Sequence, residues 1–296
     1  MKKLHDTVII LNPVSGGGNK SERLEAVKKA ALDLKFLGEI LTTTKEISAK
    51  TLAKKEIKKG RKKIIVGGGD GTIFEVIDEL VGKSIVLGIM PLGTGNLFAR
   101  NLRIPLSIPE SLKIALNNKE SMIDVGRANG TYFTVIAGLG VDAHIMEKSE
   151  GDMKKRFGYF AYVINALKSV FYKNKTYKIT IDDKKPQTYK AKSVLIANMD
   201  EIQGGLKIVP YANPKSGTLK IGVIKAQSML NIFDLFLNSA AYQIHKSKHY
   251  ELLTCKKALV EVQNGTSPFE CDGTTFKPVR KLKIEVYPKS LTVAIP

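Results

Sequence analysis

Gly67-Gly68-Gly69-Asp70-Gly71-Thr72 follows the apolar run Lys63–Val66 and precedes Ile73, Val76, Ile77 and Leu80 at helical spacing. The order reads as strand, glycine turn, helix. Glycine allows positive φ and close approach of a ligand to the backbone, which leaves amide N–H groups facing an anion. The first turn of the helix adds further unpaired amides, and its dipole favours negative charge there. Two more turns have the same character: Asn12-Pro13-Val14-Ser15-Gly16-Gly17-Gly18 after Thr7–Leu11, and Pro91-Leu92-Gly93-Thr94-Gly95-Asn96 after Ser84–Met90. In an open α/β sheet the carboxyl ends of the strands gather the ligand, so the three turns predict one phosphate-binding crevice. Asp70 sits among them, and a bare carboxylate beside phosphates is repelled. It therefore implies a divalent cation or a proton-transfer role. None of the turns is a Walker loop or a G-x-G-x-x-G fingerprint, which disfavours dinucleotide hydride chemistry.

Working outward, the first 124 residues alternate strand and helix patterns. Thr7–Leu11, Glu39–Thr43, Lys63–Val66 and Ser84–Met90 read as strands; Ser21–Leu37, Ala49–Lys59, Thr72–Val81 and a segment from Asn96 read as helices. This alternation predicts an α/β domain with a parallel sheet over residues 1–124. Beyond Ile123 the pattern changes to short runs bounded by turns: Asp124–Arg127, Tyr132–Ile136, Tyr177–Ile181, Ser193–Asn198, Gly217–Ile224, Ala258–Val262 and Lys281–Tyr287. They predict an antiparallel sandwich or barrel over residues 125–288. Helical segments Arg156–Tyr172 and Met229–His245 interrupt it, and residues 289–296 are expected to return to the first domain.

The chain has 296 residues and a formal net charge of +19, carried mostly by lysine, with seven arginines among 47 basic residues. Nucleic-acid readers use arginine forks in clustered stripes, whereas these lysines are scattered. The expectation is no nucleic-acid partner, and attraction to phosphorylated substrates or to an anionic membrane met peripherally. A merely solvated lysine-rich surface is the alternative. Cys255 and Cys271 have no C-x-x-C spacing, which fits a reducing, cytoplasmic setting. No apolar run approaches the roughly 18 residues that span a bilayer. Oligomeric state is not legible.

The ordered series Asn12-Pro13 with Ser15–Gly18, Gly68–Thr72, and Leu92-Gly93-Thr94-Gly95-Asn96 resembles the diacylglycerol kinase catalytic domain family. Within it the match is to soluble bacterial lipid kinases, which are similar to sphingosine and ceramide kinases. The likeness continues through Gly138-Leu139-Gly140-Val141-Asp142-Ala143, Gly204-Gly205, Asp272-Gly273 and Pro288–Pro296. The resemblance implies an N-terminal α/β nucleotide-binding domain akin to those of NAD kinase and phosphofructokinase, and a C-terminal β-sandwich lipid-substrate domain. ATP and Mg²⁺ are implied in the cleft between the two. The implied nucleotide contacts are Asn12, Thr43, Gly68, Gly69, Asp70, Gly71, Thr72, Gly93, Thr94 and Asn96, with Asp70 at the metal and in catalysis.

Three stretches depart from the family pattern. Phe74 stands where asparagine is usual. Tyr211, Lys215, Ser216 and Lys220 replace acidic residues that hold a structural Mg²⁺, so no such ion is expected. Thr274 replaces the glutamate of a D-G-E motif whose carboxylate is the proposed base, and a threonine hydroxyl cannot accept a proton at neutral pH. Asp272 is the expected substitute, with Glu270 and Asp70 as alternatives. The expected activity is phosphorylation of a hydroxyl on a diacylglycerol-like or sphingoid lipid at the membrane surface. A catalytically impaired nucleotide- or lipid-binding protein and an NAD kinase are the other readings.

Overall fold

The computed structural model describes residues 6–17, 19–117, 119–140, 174–201, 207–226, 228–240 and 243–296. The helix expected over Arg156–Tyr172 lies outside the described residues, as do Val141–Ala143 and Gly204-Gly205 of the family series. The chain forms two units, Met1–Val125 with Lys289–Pro296, and Gly126–Pro288.

In the first unit β1 (Thr7–Leu11), β2 (Glu39–Thr42), β3 (Lys63–Gly68) and β4 (Val86–Pro91) form a parallel sheet in the order β2-β1-β3-β4. Val8, Ile9, Ile10, Ile64, Ile65 and Val66 are fully buried, as expected of parallel strands covered on both faces. The crossovers run through α1 (Lys20–Asp33), α2 (Ala49–Lys58) and α3 (Asp70–Leu80), and α4 (Leu97–Asn101) and α5 (Ile108–Leu116) follow β4. Val27 and Ala30 of α1 and Leu112 and Ala115 of α5 share one apolar cluster with Ile9, Ile65 and Met90. The first helix stops four residues short of the expected Leu37. Lys35 takes a left-handed conformation (φ 54°) and the Phe36 amide bonds back to the Ala31 carbonyl at 2.8 Å, a helix-closing turn. The end of β16 (Lys281–Ala294) completes this sheet, pairing Thr292 and Val293 in parallel with Val86 and Leu87.

The second unit is an antiparallel β-sandwich. One sheet has the order β12-β11-β10-β7-β14-β15, from β7 (Ile136–Leu139), β10 (Ser193–Ala197), β11 (Leu219–Ile224), β12 (Tyr250–Cys255), β14 (Ser267–Cys271) and β15 (Thr274–Val279). The other joins β13 (Lys257–Val262) to β8 (Lys175–Ile181) and to the first half of β16, with β9 (Gln187–Ala191) outside β8. The last residues of β5 (Glu120–Ala128) pair with β6 (Thr131–Phe133). A helix, α6 (Met229–Ala240), connects β11 to β12. Among the described residues no helix is long and apolar enough to cross a membrane.

Candidate active site

The three glycine turns meet at the carboxyl ends of β1, β3 and β4. The Asn12 amide donates to the Gly67 carbonyl at 2.7 Å, and the Leu92 amide to the Gly68 carbonyl at 2.8 Å. A Cβ on Gly93 would lie 2.5 Å from the Gly69 Cα, so two backbones pass where no side chain fits. Gly16, at φ 74°, packs against the Leu92 carbonyl in the same way. Side chains then lock the turns together. Asn12 Nδ2 donates to Thr72 Oγ1 at 3.0 Å, Ser15 Oγ lies 3.3 Å from that hydroxyl, and the Gly69 amide donates to Ser15 Oγ at 3.2 Å. Asn96 brackets its own turn: Oδ1 accepts from the Gly93 amide and Nδ2 donates to the Gly93 carbonyl, both at 2.8 Å. It holds a left-handed backbone (φ 52°), which asparagine tolerates.

The expected nucleotide contacts thus divide into two groups. Asn12, Thr72 and Asn96 spend their side chains on building the turns. Thr43 and Thr94 keep their hydroxyls without a hydrogen bond among the described residues. At the start of α3 the amides of Asp70 and Gly71 likewise find no acceptor among them. The half-buried Asp70 accepts one bond, from the Phe98 amide to Oδ1 at 3.1 Å, and Oδ2 accepts none among the described residues. One free carboxylate oxygen beside free helix-terminal amides is a donor and acceptor set for a phosphate with a hard cation.

Two residues that the sequence reading passed over hold the loops from behind. Arg23 of α1 donates from Nη1 to the Ser15 carbonyl and from Nη2 to the Gly17 carbonyl. Arg100 of α4 donates from Nε to the Gly95 carbonyl at 3.0 Å. A planar guanidinium fork suits such pairs of carbonyls better than an ammonium. The signal was arginine, scarce in this lysine-rich chain, just after each of two glycine turns.

In the second unit Asp272 and Gly273 have φ of 44° and 81° and link β14 to β15 as a two-residue hairpin turn. The Asp272 carboxylate takes four donors. Oδ2 accepts from the Thr134 amide (2.6 Å) and Thr134 Oγ1 (2.9 Å); Oδ1 accepts from the amides of Val135 (3.0 Å) and Ile136 (2.9 Å). This clasp explains why the strand expected over Tyr132–Ile136 is two strands, β6 and β7, broken at Thr134-Val135. Burial pushes the Asp272 carboxyl up, and the four donors oppose that. Thr274 pairs with Cys271 across the hairpin. Glu270 is 8% exposed, and its Oε2 has no hydrogen-bond partner among the described residues. Burial, assisted by the charge of Asp272, pushes its carboxyl up to about 7.

Residues 6–128 match the diacylglycerol kinase catalytic domain, and residues 135–295 match the YegS C-terminal NAD kinase beta sandwich-like domain. The chain belongs to the family that joins a diacylglycerol kinase catalytic domain to a YegS C-terminal NAD kinase beta sandwich-like domain. A Pectobacterium atrosepticum protein named "Probable lipid kinase YegS-like" is 26% identical over 306 residues, covering 100% of this chain and 98% of that one. A protein of Staphylococcus saprophyticus named "Diacylglycerol kinase" is 26% identical over 248 residues, 82% of this chain and 81% of its own. Among solved structures, a diacylglycerol kinase from Bacillus anthracis superimposes with a TM-score of 0.81 at 24% identity, covering 100% of this chain and 99% of that one. Yeast NADH kinase does so at 0.56 and 10% identity, over 98% and 83%. At those identities the two superpositions speak for the fold alone.

Proposed function

We propose that this protein is an ATP-dependent lipid kinase that phosphorylates a hydroxyl of a diacylglycerol-like or sphingoid lipid at a membrane surface. The observation that carries the reading is the meeting of three glycine turns around a carboxylate oxygen and helix-terminal amides that have no partner among the described residues. In this reading the amides of Asp70 and Gly71, with the dipole of α3, bind phosphate oxygens. Gly68, Gly69 and Gly93 let the backbone come close, and Thr43 and Thr94 donate hydroxyl hydrogen bonds to the nucleotide. Asn12, Thr72 and Asn96 keep the turns in register. Asp70 Oδ2 is a hard oxygen donor that fits Mg²⁺, which when bound neutralises charge on the transferring phosphoryl group.

For the acceptor's hydroxyl proton, we assign Glu270 in preference to Asp272. Both Asp272 oxygens are occupied by backbone and threonine donors, whereas Glu270 Oε2 has no partner among the described residues. A carboxyl near 7 is also matched to proton transfer at neutral pH. Transfer of radiolabel from ATP into a mixed lipid extract, with products identified by mass spectrometry, tests the reading. Asp70→Asn is expected to lower incorporation about 1,000-fold, and Glu270→Gln about 100-fold. Equal incorporation in wild type and Asp70→Asn would remove Asp70 from the mechanism. Thr274 favours a second reading, a nucleotide-binding protein without turnover. Calorimetric ATP–Mg²⁺ binding with no lipid product would select it.

A further inference from the structure

Among its described side chains, helix α6 leaves three large apolar residues in solvent, which a helix serving only the core would not do. Leu230, Phe233 and Leu237 are 79%, 57% and 51% exposed. At 100° per residue they fall within one narrow stripe, while the buried Leu235 and Ser239 lie on the opposite side. Leu235 packs with Ala226, Ile244 and Tyr250, so the helix is anchored through that side and the stripe is left over. The stripe does not stand alone. Lys246 and Lys248, both exposed, line one shallow depression with Leu230 and Asn231. Neither lysine is salt-bridged among the described residues. Asp234 faces the same depression, but its carboxylate is already engaged, accepting from Ser247 Oγ at 2.6 Å and from Asn238 Nδ2 at 3.0 Å.

We infer that this surface docks the protein on an anionic lipid bilayer, with Leu230, Phe233 and Leu237 entering the acyl boundary and Lys246 and Lys248 meeting the headgroups. An apolar stripe bordered by lysines is the pattern of a helix lying in a membrane interface. Charge decides between a bilayer and a second copy of the chain. A two-fold contact through this stripe would bring the lysines of two molecules with net charge +19 together, whereas anionic lipid neutralises them. The inference names the docking surface for the lipid kinase proposed above, and rests on that reading only for its purpose.

The test is sedimentation of the full chain with vesicles that contain no acceptor lipid, either phosphatidylcholine alone or with about 30 mol% phosphatidylglycerol. The wild type is expected to bind the anionic vesicles at least ~10-fold more tightly. The variant Leu230→Ser/Phe233→Ser/Leu237→Ser should lose about 100-fold in affinity for them. Lys246→Gln/Lys248→Gln should lose about 20-fold on anionic vesicles and nothing on neutral ones. Because these side chains are exposed, thermal unfolding should stay at the wild-type temperature. Kinase turnover on acceptor dispersed in detergent should also be unchanged. Equal binding to both vesicle types, or wild-type binding by the triple variant, overturns the surface. So does a lipid-free dimer, seen by analytical ultracentrifugation, that the triple variant dissociates. If no variant or wild type phosphorylates detergent-dispersed lipid while vesicle binding behaves as stated, the kinase reading fails and the docking surface stands.

Discussion

Asp70-Gly71-Thr72 and Asp272-Gly273-Thr274 are the same tripeptide in two different backbones. The first opens α3, its glycine is helical, and its aspartate accepts, among the described residues, a single amide, from Phe98. The second is a hairpin corner with both leading residues at positive φ, and its aspartate accepts four donors from a neighbouring strand break. A carboxylate with an oxygen to spare can act on a ligand, and one ringed by donors holds a fold. The identity of the residues does not separate the two cases; the number of amides aimed at the carboxylate does.

The contrast is broken most severely by removing the second charge. Asp272→Asn leaves two of the four donors facing an amide NH₂, and the expected loss is about 4 kcal/mol in urea unfolding. ATP affinity should remain at the wild-type value, and a fall in affinity at unchanged stability would give Asp272 a ligand role. Next in size is Gly93→Ala. Its methyl would drive the Gly69 backbone away, and turnover should fall about 100-fold, with nucleotide affinity falling too. Steady-state kinetics within two-fold of wild type would mean that the close approach of the two turns is dispensable.

Glu270 sharpens the comparison through pH. Its folded carboxyl near 7 lies above its ordinary value of 4.5, with burial the main cause. Between those values the folded protein holds a proton that the unfolded chain has released, so stability falls as pH rises through the window. Below it the two states are alike, and above it the full penalty of a buried charge is present. Glu270→Gln should therefore stabilise the protein by about 2 kcal/mol at pH 8 and not at pH 4. A pH-independent difference in denaturant midpoint would place the cause elsewhere. The smallest effect is expected for Arg23→Lys, which keeps the charge but loses the fork on the Ser15 and Gly17 carbonyls. Nucleotide affinity should weaken about 5-fold by calorimetry, and no change would make Arg23 incidental to the loop.

The parallel sheet and its turns were legible because each signal is local. Buried strands such as Val8–Leu11 read as unbroken apolar runs, and a turn that admits no Cβ reads as glycine. Helix α5 was legible in principle and missed. Ser107 caps the Glu110 amide from the pattern Ser107-Ile108-Pro109-Glu110, a start signal lying too close behind α4 to stand out. The hairpin at Asp272-Gly273 also carried a strong local cue, but the same letters matched a catalytic motif. The clasp itself could not be read. Its partners Thr134, Val135 and Ile136 lie well over one hundred positions away, and nothing in a strand advertises which amides a distant carboxylate will collect.

The path of the final strand has a consequence for biosynthesis. Leu291, Val293 and Ala294 are fully buried in the first unit, where Thr292 and Val293 pair with β4. The Lys289 amide donates to Asp124 at 2.8 Å, and the Ile295 amide to the Lys119 carbonyl at 3.0 Å. The ribosome therefore finishes the sandwich before it delivers the last strand of the first unit. Until then the outer edge of β4 waits open, a nascent-chain hazard of the kind chaperones cover.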